Sequence, residues 1–302
     1  MKLKSKLEKA AVFVLDFCVK AVCKKPKIAS KEETVRKIVE ERCSIARFGD
    51  GDLGLMFGLP EGYQKCDDRL TARLKEVLSY HGSEQLLIGI SKAIFVSKYP
   101  YYPKYRVKYL WKISRLLDKD RQYYHTDISR FYHSANDRKT VLAYIEKLKQ
   151  IWEQRELTVV EGEKTRMGVG NDLFDNAKRI HRILGPAENA FSHYDEILAT
   201  ILEKVPQDEL VLLALGPTAT ILAYDLFRKG YQAVDIGHVD ISYEWFLRGV
   251  RDPSERIVIP GKYTNEVRGG NVVDACLDEA YLSQIIATVG LRTHYLKKGS
   301  FK

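Results

Sequence analysis

A chain of 302 residues is long enough to bury one large core or two smaller ones, and 45% hydrophobic with 29% charged residues excludes a disordered, fibrous or low-complexity polymer. The formal charge of +9 points first to an anionic partner, but the first 30 residues hold eight lysines against Glu8 and Asp16, a net +6 that leaves only +3 for the rest. This argues against a nucleic-acid footprint spread over the globular part, and nucleic acid is not an expected partner.

The lysine-rich start runs into Ala10–Leu15 like the front of a signal peptide, but Asp16 and Lys20 interrupt the apolar run. The run is also too short to span a bilayer. Lys2, Lys6, Lys9, Asp16, Lys20 and Lys24 instead fall near one face at helical spacing, with Leu3, Leu7, Val14, Phe17 and Ala21 towards another. Residues 1–30 therefore read as a basic amphipathic helix with two alternative uses. It lies on an anionic membrane surface, or it packs on its own domain or on a second subunit of a homo-oligomer. The five cysteines, Cys18, Cys23, Cys43, Cys66 and Cys276, are scattered and lack zinc-site spacing. They read as reduced thiols of a cytoplasmic protein, peripheral at the inner face of the membrane if the helix binds there.

The globular domain is expected over 31–302. Pro26 ends the first helix, and Ser30 with Glu33 forms a capping box for the next. After the short apolar run Ile45-Ala46 comes Arg47-Phe48-Gly49-Asp50-Gly51-Asp52, where two acids between glycines suit a tight turn. Aimed together, Asp50 and Asp52 suit Mg²⁺ or Mn²⁺, which take few carboxylates and fill their shells with water and phosphate. Arg47 adds a fork for a phosphate oxygen. The alternative is an ordinary solvated Gly-Asp turn.

Residues 67–81 read as an amphipathic helix on Leu70, Leu74, Val77 and Leu78, and Leu86–Ile90 as a buried strand. Residues 98–112 interleave Tyr99, Tyr101, Tyr102, Tyr105, Tyr109 and Trp111 with basic side chains, a pattern equally suited to sugar stacking and to ring burial beside a proline loop. A helix from Asp137 to Trp152 precedes the strand Leu157–Glu161, which delivers the chain into Gly162–Asn171. With Asn171 or Asp172 capping a helix that carries Leu173, Phe174, Ala177 and Ile180, this loop would offer free amides to an anion beside Lys164 and Arg166. It is neither a P-loop nor a dinucleotide fingerprint.

Leu210–Leu215, Gly216, Pro217 and Ala233–Ile236 read as a βαβ unit whose helix begins Pro217-Thr218-Ala219-Thr220, where α/β folds bind phosphate. His238, Asp240 and Glu244 follow on the same rim, the two acids on one helix face. A strand Arg256–Ile259 then leads to Pro260-Gly261-Lys262, a cationic turn with Gly269-Gly270 as the hinge of a flap, and a helix around Leu282, Ile285 and Ile286 ends the chain before a basic tail.

Four stretches, Arg47–Asp52, Val160–Phe174, Leu215–Thr220 and Asp235–Asp240, together resemble the ordered motifs of the GT-D-type bacterial glycosyltransferases, over roughly residues 35–290. The resemblance implies an α/β, Rossmann-like, mostly parallel sheet flanked by helices, with the N-terminal helix as an addition. It implies transfer of a sugar, typically glucose, from a UDP-sugar to a glycan, glycoprotein or lipid-linked acceptor in surface-glycan assembly, and an Asp-x-Glu motif with a divalent ion. Here that motif is Asp50-Gly51-Asp52, its second acid one methylene shorter. On this reading Asp52, with Asp50 and His238, holds Mn²⁺ or Mg²⁺. Arg47, Gly51, Thr165, Arg166, Gly168, Gly170, Asn171, Asp172, Gly216, Thr218, Thr220 and Lys262 hold the nucleotide sugar. Asp240 or Glu244 is the base, and Tyr102 and Tyr105 meet the acceptor. A metal-dependent nucleotide phosphoesterase and a non-catalytic nucleotide- or lipid-binding module are the alternatives.

Overall fold

The structure, a computed structural model, describes residues 2–23, 25–97, 101–131 and 137–291. Lys24, the Lys98–Pro100 start of the aromatic stretch and the basic tail lie outside them, as do the side chains of Leu3, Leu7, Lys2, Lys6 and Lys9. Nine parallel strands form one sheet in the order β1-β4-β3-β2-β8-β7-β5-β6-β9. They are β1 (Lys27–Ile28), β2 (Ser44–Phe48), β3 (Leu86–Ile90), β4 (Gln122–His125), β5 (Glu156–Gly162), β6 (Arg179–Gly185), β7 (Leu210–Ala214), β8 (Ala233–Asp235) and β9 (Ile285–Thr288).

Successive strand residues face opposite layers. Ile45, Leu87, Val159 and Leu212 enter one core and Ala46, Ile88, Val160 and Leu213 the other, so the strands read as continuous apolar runs. On the first side pack α2 (Lys31–Glu40), α7 (Arg138–Lys149) and α10 (Val239–Leu247). On the second pack α4 (Asp68–Leu78), α6 (Tyr101–Leu116), α8 (Tyr194–Lys204) and α9 (Pro217–Arg228). The fold is the α/β arrangement expected from the sequence, and α1 (Lys2–Val22) adds to it by packing along α6.

Several local expectations change. Ser30 caps α2 through a 3.0 Å bond from the Glu33 N–H, but the Glu33 carboxylate turns to Arg36 instead of closing the box. The Asp-Gly-Asp stretch is not a free turn. It is the first turn of α3 (Asp50–Leu55), where Asp52 reaches back to accept from the Gly49 N–H at 2.8 Å. The glycine loop after β5 leads to no helix: Leu173 to Asn176 make turns, and Ile180 is taken into β6 by pairing with Leu157 of β5. Residues Arg256–Ile259 form no strand. They cross outside the sheet, whose edges are β1 and β9. The last helix shortens to α11 (Glu279–Ser283), and Ile285 and Ile286 instead begin β9 beside β6. The Gly269-Gly270 pair closes a turn, Gly270 accepting from the Thr264 N–H at 2.8 Å.

Candidate active site

Seven parallel strands, β2 to β8, end on one side of the sheet, and their C-terminal loops line a cleft of about 1100 Å³. The chain leaves β2 towards β3 and β4 on one side and returns on the other, so the β2/β8 junction is a switch point of the kind where open α/β sheets bind ligands. Asp50, Gly51 and Asp52, at the end of β2, lie in this cleft with Thr165, Gly216, Thr220, Tyr102 and His238.

The cleft floor is acidic. Burial raises Asp52 to about 7, with the charges of Asp235 and Glu61 adding to it. Burial and then Asp50 raise Glu61 to about 6. Asp50 is raised by its own burial and by Asp127. Glu61 lies directly over Gly51, where a β-carbon would fall 2.6 Å from its Oε1, so a glycine between the two aspartates admits a third acid. Among the described residues no three His, Cys, Asp or Glu side chains converge as a preformed metal cage.

Arg47 is less a phosphate fork than a tie between strand ends. Its guanidinium donates to Thr126 O at 2.7 Å, Ser129 Oγ at 3.0 Å and Asp235 Oδ1 at 2.9 Å. Thr220 Oγ1 donates to Arg47 O at 2.9 Å, tying the start of α9 to the end of β2. Gly237, at φ +51°, leaves room for the Arg47 guanidinium where any side chain would collide with it.

Other expected ligands are turned to structural duties. Lys262 is buried, its Nζ donating to both Asp240 oxygens at 2.8 and 2.6 Å and lying 3.3 Å from Glu244. Asp240 also accepts from the Gly168 N–H and Asn171 Nδ2, both at 2.9 Å, and Glu244 is held by Asn171 and Arg248. Neither acid is thus an open base, and the amide at Gly168 is spent on Asp240 instead of an anion. Gly170, at φ +75°, only turns the same loop. Arg166 is buried and donates to the Gly261 and Asp274 carbonyls. Asp172 accepts from the Tyr243 hydroxyl at 2.7 Å, away from the cleft, and Thr218 is fully buried. Tyr105 is buried too, and its hydroxyl donates to Asp50 O at 2.8 Å, so it supports the acid turn while Tyr102 lines the cleft.

His238 is not drawn to Asp50 and Asp52. Arg130 Nη2 donates to its Nδ1 at 3.3 Å and Glu266 lies 3.5 Å from its Nε2. Burial, with Arg130 adding, lowers it to about 4, so it is neutral near pH 7. Glu266 also pairs with Arg130 at 2.5 Å and Arg256 at 2.6 Å, an ion cluster on the cleft wall that the sequence reading missed. It missed Glu61, Tyr63 and Asp127 as well. They lie in loops or, for Asp127, in the short 3-10 turn Thr126–Ser129, without hydrophobic periodicity, and the one available clue is that Asp127 and Arg130 closely follow the Tyr123-Tyr124 run of β4.

A family model described as "Glycosyltransferase GT-D fold" matches residues 45–267. The chain belongs to the GT-D-fold glycosyltransferase family. It is 37% identical over 270 residues to a probable glycosyl transferase, Gly, of Streptococcus gordonii, and 36% identical over 265 residues to glycosyltransferase GlyD of Streptococcus pneumoniae serotype 4. These alignments take in 87% and 85% of this chain but only 39% and 32% of those longer proteins. A solved structure described as "A New Glycosyltransferase (DUF1792) from Streptococcus sanguinis" superposes with a TM-score of 0.80 at 34% identity, covering 87% of this chain and 99% of that one. Another, described as a highly conserved domain of unknown function 1792 with a distinct glycosyltransferase fold, gives 0.82 at 33% identity over 91% of this chain and all of its own. The GT-D resemblance read from the four motifs is thereby confirmed.

Proposed function

We propose that this GT-D domain moves a sugar, glucose in the first instance, from a UDP-sugar to a glycan, glycoprotein or lipid-linked acceptor, with Mn²⁺ or Mg²⁺ as cofactor. The observation that supports this most is the acidic floor of the cleft at the strand ends: three carboxylates, each raised first by burial and then by a neighbouring acid, with no cation bonded to them among the described contacts. The donor set fits a hard divalent ion. Asp50 and Asp52 would hold it, with Glu61 beside them, and substrate phosphate and water would complete a shell that the protein alone does not cage. When bound, the ion would neutralise charge on the departing nucleoside diphosphate.

The protein's own residues do the rest. Arg47, through Asp235 and Thr220, fixes the ends of β2, β8 and α9 relative to one another, so Asp50 and Gly216 face the same space. Tyr105 holds the Asp50 backbone. Glu61, near pH 6 and open to the cleft, replaces Asp240 and Glu244 as the candidate to take the acceptor hydroxyl proton. Tyr102 offers its ring at the cleft edge to an acceptor sugar.

The deciding experiment is calorimetric titration of UDP and UDP-glucose, with and without Mn²⁺, into the parent protein and a folded Asp52→Ala variant. Metal-dependent binding that the variant lacks is the expected result. Equal binding by the variant, or none by the parent, would remove the metal-diphosphate site. Release of free glucose at the same rate whatever acceptor is supplied would point to hydrolysis instead.

A further inference from the structure

We infer that the outer face of α1, with the adjoining face of α6, is a docking surface for a bilayer carrying anionic headgroups, on which the helix pair lies flat. α1 turns an acid inward and most of its bulky apolar side chains outward. An amphipathic helix on a globular domain ordinarily turns its apolar stripe inward and its charges to water. Here an acid is among the side chains turned inward: Asp16 is buried against the equally buried Arg106 of α6, beside half-buried Val19 and buried Cys23. Cys23, two turns on, meets Ser114 of α6 at 3.5 Å, so the two helices run side by side in the same direction. This ion pair fixes the rotation of α1 about its axis.

The consequence is an exposed apolar face. Phe13, Phe17 and Val22 are 74%, 67% and 72% exposed, and Val14 and Leu15 are exposed with them. On α6, Trp111 is 54% exposed with the Arg115 guanidinium 4.8 Å from its ring, and Lys104, Lys108 and Lys112 are exposed on the same helix. A burial-driven fold does not leave two phenylalanines and a tryptophan in water without a second surface to meet. Charge selects which surface. The first 30 residues carry a net +6 in sequence, and the open side of α6 presents the four exposed cations Lys104, Lys108, Lys112 and Arg115, a charge that favours anionic lipid over a second copy of itself. No described helix is long and apolar enough to cross a membrane, so the contact is in-plane, aromatic and aliphatic side chains entering the headgroup boundary with lysines around them.

The test uses the full chain and sedimentation with vesicles of phosphatidylcholine alone or mixed with phosphatidylglycerol. Binding should require phosphatidylglycerol, weaken as salt rises, and fall roughly tenfold or more in Phe13→Glu/Phe17→Glu, whose outward side chains can be exchanged without touching the core. An unchanged melting temperature and unchanged UDP binding in that variant would show that the loss belongs to the surface and not to the fold or the cleft. Trp111→Ala should weaken binding in the same assay. The inference is overturned if the parent ignores both kinds of vesicle, or if it sediments as a dimer that Phe13→Glu/Phe17→Glu dissociates, since the face would then belong to a second copy.

Discussion

Lys262→Met is the substitution that separates the structural reading of this site from the one its sequence suggests. Lys262 Nζ lies 2.8 and 2.6 Å from the two Asp240 oxygens and 3.3 Å from Glu244, and all three side chains are at most 6% exposed. Methionine keeps most of the aliphatic volume, so the change removes a charge more than it opens a cavity. What remains is two buried carboxylates sharing the Asn171 amide, the Gly168 N–H and Arg248. Removing one partner of a buried pair costs about 3–5 kcal/mol, because the other charge stays desolvated. At about 2–4 °C per kcal/mol for chains approaching this size, the melting temperature should fall by roughly 10 °C, with a parallel shift in the urea midpoint. Adding Asp240→Asn should recover a large part of the loss, since the two residues act as one unit. A Lys262→Met protein within about 1 kcal/mol of the parent would refute the reasoning. If it also lost UDP binding, Lys262 would be a phosphate ligand after all.

Two further outcomes follow from the same geometry. Burial works to raise Glu266, yet Arg130, then His238 and Arg256, hold it at about 2, below its ordinary 4.5. A depressed acid stabilises the folded state above its unfolded value and loses that contribution as pH falls through the folded one. Glu266→Gln should therefore melt well below the parent at pH 7, and the gap should close between pH 4.5 and about 2, as followed by thermal unfolding across that range; a gap independent of pH would mean that the ion cluster contributes nothing. Gly237→Ala places a side chain at φ +51° against the Arg47 guanidinium, so it should cost about 1–3 kcal/mol in stability and also reduce UDP binding by loosening the strand ends, whereas an unaffected protein would show that Arg47 has room to move.

Much of this protein is written in short-range pattern. The apolar run Leu210–Ala214, the Gly216-Pro217 break and the following helical spacing give β7, α9 and β8 almost residue for residue, because strand and helix periods and the helix-opening proline are properties of neighbouring residues. The same holds for Leu86–Ile90, while the helix expected over 67–81 forms as Asp68–Leu78, three residues shorter at its end. Where periodicity was weak, as after Gly170 and at Arg256–Ile259, the sheet decided: a segment becomes a strand only if an edge is there to pair with, and Ile285 had β6 while Ile257 had none.

The acid pair Asp50 and Asp52 was legible because its composition is unusual, and the family motifs were legible because they keep their order along the chain. Whether a given charge faces ligand or protein was not. Lys262 and Arg166 look like phosphate ligands in one dimension and are buried against Asp240 and a backbone carbonyl in three, while Glu61, from a loop without pattern, lies over Gly51. The N-terminal helix makes the same point: its amphipathic spacing is in the sequence, but which face turns outward was set by Asp16 finding Arg106, 90 residues away. Local sequence determines backbone conformation through steric and periodic preferences, whereas the pairing of charges depends on desolvation and on distances that exist only once the sheet has assembled.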